Sequence, residues 1–224
     1  MRTQLLAATA LTTTVSFLVP GLALAQSTFD WSGFYAGLSG GVVNDQSVVD
    51  FDYSGTLTLP ASVKVPGIGE LGSTTVGFDW QNGQFVYGLA GDMALVKLQG
   101  HATGTNYTID DKLNTLLSLR ARFGVAFDRM LVYATAGVAG GTTSFNADVG
   151  KGSASGSGFA TGTIVGVGTE YAVNDNVAIT AAAKYYNLSP LTGTGDAGKG
   201  TPDPYTATYK PAGLIFETGL NVHF

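Results

Sequence analysis

Period-two alternation of apolar residues constrains this chain more than any other feature. Eight segments show it, at about residues 33–43, 73–81, 85–96, 115–127, 130–141, 158–171, 177–188 and 212–224. The sharpest case is LLSLRARFGVAF, residues 116–127. In a helix, positions two apart lie about 200° apart around the axis, which would send Arg120 and Arg122 to different sides of a mostly apolar cylinder. In a strand, Leu117, Leu119, Ala121, Phe123, Val125 and Phe127 make one wholly apolar face. Leu116, Ser118, Arg120, Arg122, Gly124 and Ala126 make a mixed one, and the chain reads as all-β.

The connections alternate in length. Asn82-Gly83-Gln84, Asp128-Arg129 and residues 172–176 are short, whereas about 44–72, 97–114, 142–157 and 189–211 are long. Asn-Gly between two alternating runs is a strong hairpin signal. Short turns at one end and four long loops at the other predict an eight-stranded antiparallel up-and-down transmembrane β-barrel. Its loops would lie outside the cell, with the turns and both termini in the periplasm. The loops are rich in Gly, Ser, Thr, Asp and Pro, as in KGSASGSG (151–158) and TGTGDAGKGTPDP (192–204), and are expected to be mobile.

A soluble barrel would turn its apolar face inward and a well-charged face to water. Here only 12% of residues are charged, and the mixed faces are dominated by glycine and alanine, which suit the narrow interior of eight strands. The apolar face therefore meets lipid. Trp31, Phe34, Trp80, Tyr87, Phe127, Tyr171 and Phe224, near strand ends, suit two interfacial girdles. Arg122, five residues from Phe127, falls roughly 12 Å up a lipid band about 25 Å tall. An arginine facing lipid there would cost about 2–4 kcal/mol, so both arginines must point inward, where they need partners. Inward parity supplies Asp79, Asp92, Glu170 and Glu217 as anions and Arg120, Arg122 and Lys184 as cations. The expected pairing is Asp92 with Arg120 or Arg122, and Lys184 with Glu217, closing the lumen.

Residues 1–25 have the form of a cleaved secretory signal, with Arg2, an apolar stretch and Ala23-Leu24-Ala25 before Gln26. The barrel would then occupy 26–224. There is no cysteine, so neither a disulfide framework nor a thiolate metal site exists. The acidic balance, 16 Asp and Glu against 11 Lys and Arg, and the lack of a basic cluster argue against nucleic acid.

Little in the sequence carries catalysis. His101 and His223 are the two histidines, and no Ser-His-acid arrangement is visible, so no enzyme and no cofactor are expected. Asp50, Asp52, Asp110 and Asp111 are too few for a Ca²⁺ site, which takes six to eight oxygens, and read as solvated loop residues.

Several stretches resemble a known group of proteins. DWSGFYAG (30–37), FVYGLAGDM (85–93), SLRARFGVAFDRMLVYATAGVA (118–139), TEYAVNDNVAI (169–179), KYYNL (184–188) and GLNVHF (219–224) are similar to the small porin-family outer-membrane barrels of Gram-negative bacteria. That group includes surface antigens and hemin-binding proteins related to the OmpA transmembrane domain. The resemblance implies that Phe224 is a signal for the barrel-assembly machinery, and that outer-membrane lipid and lipopolysaccharide are partners. It suggests a heme role for Tyr53, Tyr107, Tyr205 and Tyr209, which no spacing supports. Where the group carries a glutamate, this chain has Ala90 and Ala182, each removing an interior carboxylate. The function expected is non-catalytic: envelope integrity and presentation of surface loops, by a monomer. The alternatives are a narrow solute channel, or a surface receptor or adhesin acting through the loops on heme or a host ligand.

Overall fold

The structure, a computed structural model, describes residues 29–53, 59–150, 152–197 and 204–224. The expected signal, 1–25, lies outside them. Among the described residues there are twelve strands: β1 (Gly33–Asp45), β2 (Val48–Tyr53), β3 (Ser62–Lys64), β4 (Ile68–Asn82), β5 (Phe85–Thr103), β6 (Tyr107–Phe127), β7 (Met130–Val149), β8 (Gly152–Ala172), β9 (Val177–Leu188), β10 (Leu191–Asp196), β11 (Pro204–Lys210) and β12 (Ala212–His223). Eight close a barrel in the order β1-β12-β9-β8-β7-β6-β5-β4, every pair antiparallel. Gly83, at φ +61°, takes the left-handed backbone that the tight β4–β5 turn requires. Around the wall Leu38, Val76, Leu95, Leu119, Val138 and Leu220 stand exposed in a belt too wide for a surface facing water.

The end away from the tight turns is not a set of loops. Strands β5 to β8 are 19, 21, 20 and 21 residues long, about twice the 9–11 that cross a bilayer. The expected loops at 97–114 and 142–157 are mostly strand. The alternation persists there, with Leu98, Ile109, Leu113, Phe145, Ala147 and Val149 inward, while the outward residues turn polar because the wall now faces water. Register shifts at Leu95/Leu98 and at Leu113/Thr115 mark where these strands leave the apolar belt.

The other two expected loops, 44–72 and 189–211, supply a four-stranded sheet in the order β10-β11-β2-β3. Its β10 lies along β8, where a Cβ on Gly193 would meet the backbone of Ser155. Beyond β3, Gly67 bridges to Gly100 of β5. This sheet and the extended strands wrap a second core including Val49, Ile109, Phe145, Val149, Tyr205 and Tyr209. Burying each such side chain contributes about 1.5–3 kcal/mol, which offsets the entropy of ordering these segments into a dome. Within the described residues, then, 152–158 and 192–196 form strands; 151 and 198–203 lie outside them.

Candidate functional site

The barrel interior is where strand parity sends a set of charged residues out of reach of water, and it is layered. At the end with the tight turns, Phe29, Trp31, Val86, Ala126, Leu131 and Tyr133 belong to one apolar cluster. Trp31 is therefore not a girdle residue: it precedes β1, folds under the barrel and packs on Phe29 and His223 at ring-centroid distances of 4.6 and 5.4 Å. The other six expected girdle aromatics are exposed. Above this cluster comes the charged belt. Above the belt lies a second apolar layer, to which all eight barrel strands contribute, among them Val43, Leu71, Leu98, Leu116, Ile164 and Ile215.

All seven charged residues of the expected set point inward. Arg120 grips Asp92 with two bonds, Nε to Oδ2 at 2.7 Å and Nη2 to Oδ1 at 2.8 Å. Asp92 also accepts from Thr75 and Ser118 at 2.7 and 2.6 Å, so its lone pairs are well used. Lys184 Nζ lies 2.5 Å from Glu217 and 3.7 Å from Asp92, joining the two pairs. Arg122 takes different partners: Glu170 at 2.7 Å and Asp79 at 3.4 Å, from β8 and β4. Its guanidinium also lies 4.2 Å from the Tyr133 ring centroid and 5.2 Å from that of Tyr35. The partner directly opposite Arg120 on β5 is Ala90, so Arg120 reaches Asp92 diagonally, whereas Arg122 to Glu170 and Asp79, and Lys184 to Asp92, join strands that are not neighbours.

Glycine opposite the charges creates their space. A Cβ on Gly88, the cross-strand partner of Asp79, would meet Asp79 Oδ1 and the Phe78 carbonyl. What remains among Tyr35, Arg120, Arg122 and Glu217 is a cavity of 20 Å³, room for about one water. Sequence reasoning missed Tyr35, Tyr133, Thr75, Ser118 and Thr135 as members of this network. Inward parity was a signal for all of them, but neutral side chains give no reason to be singled out. His223, the last residue of β12, lies 3.6 Å from Glu170.

Other candidates fare differently. Tyr205 and Tyr209 are buried in the dome, where Tyr205 donates to the Ala147 carbonyl at 2.7 Å, so neither is offered to a surface ligand such as heme. Asp110 and Asp111, adjacent on β6, face opposite sides of the wall and cannot share a cation. His101 Nδ1 lies 2.8 Å from Asp110, and its Nε2 lies 2.8 Å from Thr103. This acid, imidazole and hydroxyl stand on the outer face of the β5–β6 hairpin, with imidazole and carboxylate 61% and 52% exposed. Water competes for each bond there, which makes a surface chain rather than an activated nucleophile.

The family model for the outer membrane protein beta-barrel domain matches residues 8–214. Among solved structures the chain is similar to OprG from Pseudomonas aeruginosa, at 13% identity over 88% of this chain and 97% of that one, with a TM-score of 0.58. It is also similar to the outer membrane protease OmpT from Escherichia coli, at 10% identity over 90% and 100%, TM-score 0.45. A third is Ail, the attachment invasion locus protein of Yersinia pestis, at 17% identity over 83% and 99%, TM-score 0.35. No curated protein matches the chain. At such identities the likeness is one of fold.

Proposed function

This chain belongs to the outer membrane protein beta-barrel family and sits in the outer membrane, and we propose that within the family it is a closed, non-catalytic barrel that reinforces the envelope and holds out a folded surface. The observation that carries this reading is the filled interior: apolar cluster, charged belt, apolar layer and dome core follow one another through the molecule. A conducting channel needs a continuous polar path, and the layer built from all eight strands offers none. The tight turns, the start of β1 and the end of β12 face the periplasm, and the dome faces outward among lipopolysaccharide sugars. As a monomer it would meet the assembly machinery through Phe224.

Bilayer recordings on the refolded mature chain test the closed lumen. Wild type is expected to be silent, and so is Arg120→Ala, because the apolar layer above the belt survives the substitution. Steady openings in wild type would make the protein a pore. The envelope role is tested with a deletion strain, expected to be more sensitive to detergent and to recover with wild-type protein. Recovery with a variant substituted at outward dome positions such as Ser155 and Thr194 would assign the role to the barrel. Failure of that variant, correctly assembled, would assign it to the dome surface.

A further inference from the structure

A second polar layer lies between the upper apolar layer of the barrel and the core of the dome, and among the described residues it contains no cation. Asp45, at the end of β1, and Asp111, on β6, are 6% and 1% exposed and lie within hydrogen-bonding reach of each other. Both stand beyond the membrane-crossing parts of their strands, at the level where outward Lys97 and Lys112 replace lipid-facing leucines. Both also abut the point where a Cβ on Gly100 would stand.

Their four oxygens can be counted against donors. Ser47 N donates to Asp45 Oδ1 at 2.8 Å, Gly100 N to Asp111 Oδ1 at 2.8 Å, and the Tyr209 hydroxyl to Asp111 Oδ2 at 2.5 Å. Asp45 Oδ2 is buried with no donor. Two facing carboxyls with one donor missing are completed by one proton. A metal ion fits poorly, because two backbone N–H groups already aim at these oxygens and a hard cation wants six or more oxygen ligands.

We propose that Asp45 and Asp111 hold one proton between them, and that this proton is the clasp fastening the β10-β11-β2-β3 sheet to the barrel rim. The clasp has the right connections. Tyr209 brings β11 to Asp111, and Ser47 Oγ lies 3.2 Å from Tyr209 Oη and 3.3 Å from Ala212 N at the start of β12. The other titratable groups around the pair are Tyr186 on β9 and Tyr209, both inward, with Asp110, Lys112, His101 and Lys210 on outer faces and Lys64 at the edge of a neighbouring 510 Å³ cavity. No ion pair among the described residues reaches Asp45 or Asp111.

Burial and the neighbouring Asp111 push the Asp45 carboxyl up to about 7, and burial raises Asp111 as well. A carboxyl raised in the folded state binds its proton more tightly there than in the unfolded chain. Its contribution is therefore complete below the ordinary carboxylate range near 3.9 and is lost as pH rises to about 7. The dome is tightest in acid and loosest in alkali.

Hydrogen exchange of the refolded chain in micelles, corrected for intrinsic rate, tests this on peptides covering β2 and β11. Between about pH 5.5 and 8.5 the wild-type protection is expected to fall roughly ten-fold. Asp45→Asn should hold its protection throughout, because an amide donates to Asp111 at every pH. Asp111→Asn should do the same and serves if Asp45→Asn does not refold. Asp50→Asn, an outward carboxylate of the same sheet, should keep the wild-type pH course, displaced by one small factor that is the same across this range. Unchanged wild-type protection, or a pH course in Asp45→Asn equal to that of wild type, would overturn the clasp. So would restoration of protection at pH 8.5 by calcium chloride together with its loss at pH 5.5 in EDTA, since the pair would then be holding a metal.

Discussion

The two polar layers of this molecule solve the same problem differently. The belt at mid-barrel sets Arg120, Arg122 and Lys184 among four carboxylates, so each of its seven charges has an opposite charge within 4 Å. The layer under the dome sets two carboxyls together with hydroxyl and backbone donors only. In the first, Arg120 and Arg122 keep their charge because a guanidinium does not give up its proton. The second can exist only while one proton stays. A barrel wall that must survive in lipid is tied by fixed charges, while the sheet above it is tied by a group that titrates.

That contrast can be broken at several points. Arg122→Met strands Glu170 and Asp79 in the belt without their cation, and is expected to cost about 3–5 kcal/mol in urea unfolding of the refolded barrel. A cost below about 1 kcal/mol would show that the belt does not depend on fixed charge. Tyr209→Phe removes one donor from Asp111 and should cost about 1–3 kcal/mol. That loss should appear as faster exchange in β2 and β11 with the barrel's unfolding midpoint unmoved. A shift of the midpoint instead would mean that barrel and dome unfold as one unit.

Smaller effects sharpen the comparison from the dome's outer face. Lys210 lies 2.5 Å from Asp50, and the hydrogen bond holds that carboxyl below the usual carboxylate range. Its contribution is present above the ordinary carboxylate range and lost as pH falls, the reverse of the Asp45 pair. Both side chains are more than a third exposed or close to it, so screening leaves about 0.2–1 kcal/mol, readable as dome exchange in Asp50→Asn near neutral pH. His101→Ala breaks the exposed chain to Asp110 and Thr103 and should change stability by less than about 0.5 kcal/mol. A larger loss in thermal unfolding would give that surface chain a structural role.

How much of this was legible depends on what each face touches. The barrel strands could be read because lipid outside and small residues inside sharpen the alternation, as in 116–127. The extensions of β5 to β8 could not be read by average hydropathy. Once the wall leaves lipid, residues such as Gln99, Asp110, Asn146 and Ser155 take the outward positions, and the segment acquires the composition of a loop. The inward series Leu98, Ile109, Phe145 and Val149 still kept the strand period, and it was the signal available. Trp31 failed for another reason: it lies outside any alternating run, so parity says nothing about where it packs.

The sequence by itself determined the chain's class, the faces of its membrane-crossing strands and the sign and number of charges in the belt at mid-barrel, because each follows from local periodicity and from the cost of placing a charge in lipid; the buried Asp45 and Asp111 above that belt were not among them. Which charges meet was decided by tertiary structure, since closing the barrel brings non-neighbouring strands together across the lumen and sends Arg122 to Glu170 and Asp79 rather than to Asp92. The dome was decided there too. Residues 48–53, 62–64, 191–196 and 204–210 are too short to be stable strands alone, and they become a sheet only because four overlong neighbours offer them an apolar core to close.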